Sequence, residues 1–382
     1  MKHWRKTEWL LAFFCLGAIS RLLWAGWIDS MDFDVYWRTA QGWLSGRSPY
    51  FFDGTERGFV IKYPPWILPI FFPFGFLGHQ ISRMIWALLE LLALIYTLGW
   101  VHKNGVSVKR TLIAAFFFWW IWLAHFFAGQ LTLILLAAGL WAVPPPRTKT
   151  SKWSAAVAAF FISGKIFYSV SLLGLGKRFF KKETWLSLLI AMPTATFGSW
   201  IIAVASGYPE SFGEFLKSWA RAAASGGVEL GAQYVRGQMN HGFTAGALRW
   251  LSIGSDRVGA DIAVCLVLSV LLSAIWYRYS KKLSDQEKWS GWLALGAIIH
   301  PLAWHHSYVL TFPLCALAWD RALKSKNSKW IALSITSFTM IGILIPNILG
   351  MSLITPLEMV SIKSWGVCLA AFTLIKSRVA KT

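Results

Sequence analysis

Acidic side chains are scarce in this chain of 382 residues. Only 17 Asp and Glu stand against 37 Lys and Arg, and charged residues of both signs make up 14% of the whole. With 56% of residues hydrophobic, so little charge excludes an ordinary water-soluble domain, which could not hide that much apolar surface. Cysteine is rare too. The four present (Cys15, Cys265, Cys315 and Cys368) lie inside apolar segments without CxxC or metal-ligand spacing. That excludes a disulfide scaffold or a thiolate zinc site and leaves them as small core residues. No GxxxxGK[ST] phosphate loop occurs, so nucleotide-driven chemistry of that kind is not expected. No internal repeat and no separate soluble domain is visible, and residues 1–382 read as a single integral-membrane domain.

Apolar runs and tryptophan are what the chain has in plenty. Of its 25 Trp, Trp4, Trp27, Trp100, Trp141 and Trp185 sit near the ends of apolar runs, where amphipathic rings favour the headgroup zone. The formal charge of +20 is carried by short tracts between those runs, so it belongs to the cytoplasmic side of a membrane and not to a nucleic-acid surface. The fold class expected is an all-α polytopic membrane protein. Spans are predicted over 8–28, 81–101, 185–205, 260–277, 290–303, 307–320, 330–348 and 353–374. Two short ones are predicted within 111–143, turning at Gly129-Gln130. Residues 153–176 should form two very short spans or a re-entrant hairpin, turning near Gly164-Lys165. The sum is about twelve crossings by length. The basic tracts place both termini in the cytoplasm, and the localisation expected is the cell's inner (plasma) membrane. The start MKHWRK has no small-residue cleavage site after its apolar run and is read as a retained first span. Residues 63–78 carry Pro64, Pro65, Pro69 and Pro73 and are predicted to be a half-helix or interfacial helix. The outer loops 29–65 and 206–257 are the other places for interfacial helices.

The scarce acids are not spread evenly. Asp29, Asp32, Asp34 and Asp53 fall close together in the first outer loop, and Glu56 follows. So much acid just past a first span points to chemistry more than to packing, and Asp32 is the leading candidate for a general base. If Asp32 to Tyr36 is helical, Asp32 and Tyr36 share a face and Asp34 points away. If it is extended, Asp32 and Asp34 share a side and could hold a metal like a DxD motif. Both could also simply cap the following helix. Lys62 precedes the rigid Tyr63-Pro64-Pro65 and is placed either to meet a phosphate head group or to snorkel. Gln130 lies at an outer turn, and Lys165 is a lone cation at another, a functional-site hypothesis by default. The run His300 to Tyr308 holds His300, His305 and His306. Without Cys or carboxylate close in sequence, and without HExxH spacing, it reads as a hydrogen-bonding element for a phosphate or sugar hydroxyl, so no metal site is expected. The 206–257 loop adds Arg221, Gln233, Tyr234, Arg236, Gln238, Asn240 and His241, a basic set that suits an anionic lipid carrier.

Taken in order, Asp-Phe-x-Val-Tyr at 32–36, Gly-x-Ser-Pro-Tyr at 46–50, Tyr-Pro-Pro at 63–65, Gly-Gln at 129–130, the lone Lys165, Asn-His-Gly at 240–242 and Pro-Leu-Ala-Trp-His-His at 301–306 resemble glycosyltransferase family 87. The resemblance runs from about residue 30 to 315. It implies the GT-C fold and an enzyme that takes a sugar, typically mannose, from a polyprenyl-phosphate carrier at the outer face. The sugar passes to a lipid or glycan hydroxyl with inversion. It further implies Asp32 as base, and Trp304, His305 and His306 as the element facing the carrier phosphate and reacting sugar. Lys62 and Lys165, with the two histidines, would meet the donor phosphate. Asp34, Tyr36, Tyr63, Gln130, Arg236, Asn240 and Trp304 would contact substrates. No cofactor is implied, although a divalent cation stays open, and the partners are the donor, the acceptor and membrane lipids, not nucleic acid. Residues 238–242 depart from the Asn-Gln-Ser usual in the family, which leaves the acceptor side open. The rival readings are a transporter or flippase for an anionic polyprenyl-linked lipid, which would tend to show inverted repeats, and a lipid-binding assembly subunit.

Overall fold

Proline and glycine decide where helices stop in this chain, and the stops are what bring polar residues together. A computed structural model describes residues 6–28, 31–50, 61–146, 148, 151–224, 240–251, 258–344 and 350–377. Arg236, with Gln233, Tyr234 and Gln238, lies outside the described residues, as do Asp29, Asp53 and Glu56. Among the described residues all regular structure is helical.

Helix α1 (Lys6–Ile28) is followed by α2 (Met31–Leu44), whose first turn carries Asp32 and Asp34. Acids there meet the positive end of the helix dipole. The proline-rich stretch after it forms only two short 3₁₀ turns, Leu68–Ile70 and Phe72–Phe76, because proline offers no N–H to an α-helical ladder. Next come α3 (His79–Lys103), α4 (Val108–Phe117) and α5 (Trp119–Ala128). The last two meet at a 65° bend. Gly129 takes the left-handed conformation with φ 66°, which ends α5 and starts α6 (Thr132–Ala142) within a few residues. A side chain at that position would be strained.

Helix α7 (Ser154–Ile162) stops at a second tight turn, and a 3₁₀ stretch (Ile166–Arg178) follows. Both turns fall where the sequence places them, at Gly129-Gln130 and Gly164-Lys165. The chain continues through α8 (Lys182–Ala205), the amphipathic α9 (Phe212–Ala224), α10 (Phe243–Trp250) and α11 (Val258–Tyr279). Helix α12 (Asp285–Ile299) begins with a capping box between Ser284 and Glu287. A 3₁₀ turn (His305–Thr311) leads into α13 (Phe312–Lys324), and then come α14 (Ser328–Phe338), α15 (Met351–Met359) and α16 (Ile362–Lys376).

Two differences from the predicted spans have physical causes. Residues 353–374 are not one helix, since α15 and α16 meet at 61°. Pro356 interrupts the first of them and Ser361 sits at φ 57° between the two. The Ser361 hydroxyl donates to the carbonyl of Gly242 and accepts from Arg249, so tertiary bonds stabilise the break. The predicted 290–303 span begins earlier, because Ser284 caps its helix, and ends at Ile299.

Three helices among the described residues, α3, α8 and α11, are long and apolar enough to cross a membrane, or up to five if each bent pair counts as one span. Leu189, Ile190 and Phe197 on α8, and Leu266, Val267 and Val270 on α11, are exposed. Such apolar outer faces belong in lipid, and the chain is a membrane protein. Helices α12 and α13 lie inside instead, with nearly every residue from Trp289 to Ile299 and from Phe312 to Asp320 buried.

Helix contacts inside the core are close. A Cβ built on Gly291 of α12 would lie 1.9 Å from the Trp276 ring of α11, and that ring is held by a 3.1 Å bond from its N–H to the Lys288 carbonyl. Gly291→Ala should therefore destabilise by about 1–3 kcal/mol through overpacking. Gly99→Ala on α3, where a Cβ meets nothing within 4 Å, should be neutral or stabilising by up to about 1 kcal/mol. Thermal unfolding midpoints of the two variants in one detergent check the difference.

Candidate active site

The polar site is built where the ends of short helices meet. Gln130 follows the left-handed Gly129, whose carbonyl accepts from the Trp86 indole at 3.0 Å. Lys165 ends the turn after α7. In that turn a Cβ on Gly164 would strike Ile67 at 2.6 Å, so the proline-rich stretch packs directly against it. Ser199 of α8 also donates to the Pro65 carbonyl at 2.8 Å. Thus Tyr63, Gln130 and Lys165 are brought to one place by three separate breaks in the helical run.

Their side chains form one network. Lys165 Nζ donates to Gln130 Oε1 at 3.0 Å and to Thr132 Oγ1 at 2.7 Å. Tyr63 donates to the same Gln130 oxygen at 3.3 Å and shares a 3.1 Å bond with the Tyr36 hydroxyl. Gln130 Nε2 donates to Asp32 Oδ2. The ammonium also lies over the rings of Tyr63 and Tyr168, 5.9 and 5.3 Å from their centroids, an attractive arrangement for a cation.

Asp32 is partly buried at the start of α2. Burial pushes its carboxyl up from 3.8 to about 6, against the opposing pull of the Gln130 hydrogen bond and the charges of Lys165 and Lys62. A carboxyl poised there can accept a proton near neutral pH. Lys62 is close enough to act on Asp32 through its charge, and so belongs to the same neighbourhood.

The other acid of the loop lies elsewhere. Since α2 is a helix, Asp34 turns away from Asp32, and its Oδ1 meets His79 Nε2 at 2.8 Å and Arg83 Nε at 3.2 Å. Arg83 also donates to the carbonyls of Trp27 and Ile28 at 3.2 and 3.1 Å. This arrangement ties α2 to α1 and α3, and it removes the extended DxD geometry in which Asp32 and Asp34 would share a side.

The histidine run is divided as well. Trp304 packs near His306, with ring centroids 5.8 Å apart. His306 is buried, and after burial the charges of Lys165, His125, His305 and His300 hold it well below its ordinary basicity, so Lys165 is among the groups that act on it. Tyr168 joins the two regions, its ring 4.9 Å from that of His300. His305 instead faces His241, Nε2 to Nε2 at 3.2 Å, and Glu358 at 3.9 Å. Asn240, expected at the substrates, sends its amide to backbone. Its Nδ2 donates to the Pro301 carbonyl, and its Oδ1 accepts from Gly242 N at 3.3 Å and Ala303 N at 3.0 Å. It pins the 240–242 loop to the 301–303 loop.

Several residues at or near the site were not singled out from the sequence. Thr132 and Tyr168 carry ordinary residue types in apolar runs and gave no signal. Glu90 of α3 and His125 of α5 did, as ionisable residues inside apolar runs. They meet at 3.1 Å, both fully buried, and His125 Nδ1 lies 3.4 Å from the His306 carbonyl. Glu358 gave the same signal in the last apolar stretch.

A family model described as Glycosyltransferase family 87 matches residues 59–302, more than half of the 382. The match takes in Lys62, Tyr63, Gln130, Lys165, Asn240 and His300, and it begins after Asp32 and ends before Trp304. No curated protein and no solved structure matches the chain.

The two acids should separate cleanly in stability. Asp34→Asn removes the carboxylate charge that meets both His79 and the buried Arg83 guanidinium and should cost about 1–3 kcal/mol. For Asp32 the folded pKa lies above the free value, so the protonated form is the one that folding favours. The penalty for ionising it is absent below about pH 4 and complete above about pH 6, reaching roughly 3 kcal/mol at pH 7. Asp32→Asn should therefore raise stability at pH 7 and leave it nearly unchanged at pH 4, as thermal unfolding at the two pH values would read out.

Proposed function

Because this chain belongs to glycosyltransferase family 87, we propose that it moves a sugar, mannose by the family resemblance, from a polyprenyl-phosphate carrier to a lipid or glycan hydroxyl at the outer face of the membrane. The observation that carries this reading is the Asp32–Gln130–Lys165 network. It holds a carboxyl that titrates at about 6 within two hydrogen bonds of a half-buried ammonium.

The chemistry follows from those groups. The acceptor hydroxyl gives its proton to Asp32 as its oxygen bonds to the anomeric carbon. The bond from that carbon to the phosphate oxygen breaks on the opposite face, and its electron pair leaves on the polyprenyl phosphate, which gains one negative charge. One carboxylate suffices for such an inverting displacement, since no covalent glycosyl-enzyme forms. Lys165 and Lys62 are the cations available to the leaving phosphate, and His306 is an imidazole on the same side. The carrier is already a competent leaving group, in keeping with a sequence without a nucleotide-phosphate loop. The GT-C fold, about twelve crossings and cytoplasmic termini complete the proposal, with the inner membrane as its place. Among the expected substrate contacts, Tyr36, Tyr63 and Gln130 stay with this site, Trp304 reaches it through His306, and Asp34 and Asn240 act through the frame that holds it.

Purified protein incubated with radiolabelled polyprenyl-phosphate-mannose and membrane lipids should yield a labelled glycolipid. The rate should fall as pH drops through about 6, because Asp32 is then protonated and cannot accept the acceptor's proton. Asp32→Asn should lower turnover by about 10³-fold, the scale of a lost general base, while donor binding persists. Wild-type rates in Asp32→Asn would remove the proposed base. Donor binding without any labelled product from the wild type, across candidate acceptors, would count against transfer itself.

A further inference from the structure

A second polar cluster lies where the 240–242 loop, the His305 turn and the break between α15 and α16 meet, and the proposed transfer chemistry does not use it. Its members are His241, His305 and Glu358. The Nε2 atoms of the two histidines stand 3.2 Å apart. Glu358 Oε1 lies 3.8 Å from the first and 3.9 Å from the second. Among the described residues this is the one group of three whose ligand atoms converge in this way, all within 4.8 Å of one another.

The cluster is oddly served by hydrogen bonds for a buried one. His241 is 0% exposed and Glu358 1%, yet Glu358 Oε1 and His241 Nδ1 have no hydrogen-bond partner. The nearby cations do not take the carboxylate oxygen either. Lys363 Nζ donates to the carbonyls of Ile341 and Leu344 at 2.8 and 3.1 Å. Arg249 donates to the carbonyls of Met359, Asn240 and Glu358, each at 3.1 Å, and to the Ser361 hydroxyl. A buried carboxylate oxygen facing two imidazole nitrogens without a bond to any N–H or O–H is costly unless something else fills the space between them.

We propose that His241, His305 and Glu358 bind a Zn²⁺ ion. Two imidazoles and one carboxylate are a ligand set that zinc takes readily, whereas Mg²⁺ and Ca²⁺ prefer all-oxygen sites. Ligands of a tetrahedral zinc about 2.1 Å from the metal sit about 3.4 Å from one another. To reach that spacing the two Glu358 separations of 3.8 and 3.9 Å would contract by about half an ångström, and the histidine pair at 3.2 Å would widen by about 0.2 Å. His305 is 21% exposed, which leaves a fourth position that water can reach. The ion would tie α15 and the 240–242 loop to the turn that carries His306, and so hold the edge of the transfer site without entering its chemistry. Sequence spacing could not show this. HxxxxHH alone lacks a carboxylate, and Glu358 supplies it from another segment.

The test uses the full-length protein purified in detergent without chelator. Metal analysis should find about one zinc per chain in the wild type and in Asp32→Asn. In Glu358→Gln and His241→Gln the zinc should fall to background. Protein stripped with a chelator and titrated with Co²⁺ should develop the visible absorption of a tetrahedral site, saturating at one equivalent, and should regain its thermal midpoint on adding Zn²⁺. If the variants fail to fold, the cobalt titration of the stripped wild type decides alone. Wild-type protein that holds no zinc above background and gives no cobalt absorption overturns the proposal, as does full zinc occupancy in Glu358→Gln. These readouts do not depend on glycosyl transfer, so they stand or fall apart from the proposed activity.

Discussion

The amide of Gln130 is the joint on which the polar interior turns. Its oxygen accepts from Lys165 and Tyr63, and its nitrogen donates to Asp32. Three breaks in the helical run therefore converge on one side chain: the diproline stretch, the turn after α5 and the turn after α7. The orientation of the amide is not arbitrary. An ammonium can only donate and an ionised carboxylate can only accept, so the oxygen must face Lys165 and the NH₂ must face Asp32. Glutamine is suited to this position because it offers both characters at one tip. Glutamate would set a second anion beside Asp32, and a hydrophobic residue would leave Asp32 and Lys165 without their shared bridge.

The same joint sets the electrostatics. Asp32 and Lys165 share the network, but their contact runs through the amide and not through a direct salt bridge. A direct pair would hold the carboxyl well below its ordinary range, and an acid held there makes a poor base. Placing a neutral amide between them weakens the attraction enough for burial to dominate, and the carboxyl rises to about 6. The cation meanwhile stays within reach of whatever anion enters the site.

Much of this was legible in the sequence, for reasons that can be named. Runs too short to cross a bilayer must turn, and the turns at Gly129-Gln130 and Gly164-Lys165 sit at glycines. A helix starting near Asp32 puts Asp32 and Tyr36 on one face, and both join the Gln130 network while Asp34 does not. What could not be read is pairing between distant segments. Asp34 with Arg83, Asn240 with the 301–303 backbone, and Glu358 with two histidines each join positions between which no local period or spacing acts. The ionisable residues inside apolar runs (Arg83, Glu90, His125, Glu358 and Lys363) were visible, and each is buried against a polar partner or in a polar cluster. Their presence could be foreseen, but their partners could not.

His305 and His306 show where reading a motif as a unit goes wrong. Neighbours in a chain share a task only if the backbone points them the same way. The His305–Thr311 segment is wound as a 3₁₀ turn, in which successive side chains are about 120° apart. One imidazole is therefore sent toward His241 and Glu358, and the other toward Lys165 and His125. A pair that looks like one phosphate-binding element is split between two neighbourhoods of different chemistry. One holds two imidazoles and a carboxylate whose ligand atoms lie within 4.8 Å of one another. The other holds an imidazole and an ammonium on the side where an anion would be expected. A helix with a different twist would have changed that division, so the local winding of seven residues decides which histidine can serve which site.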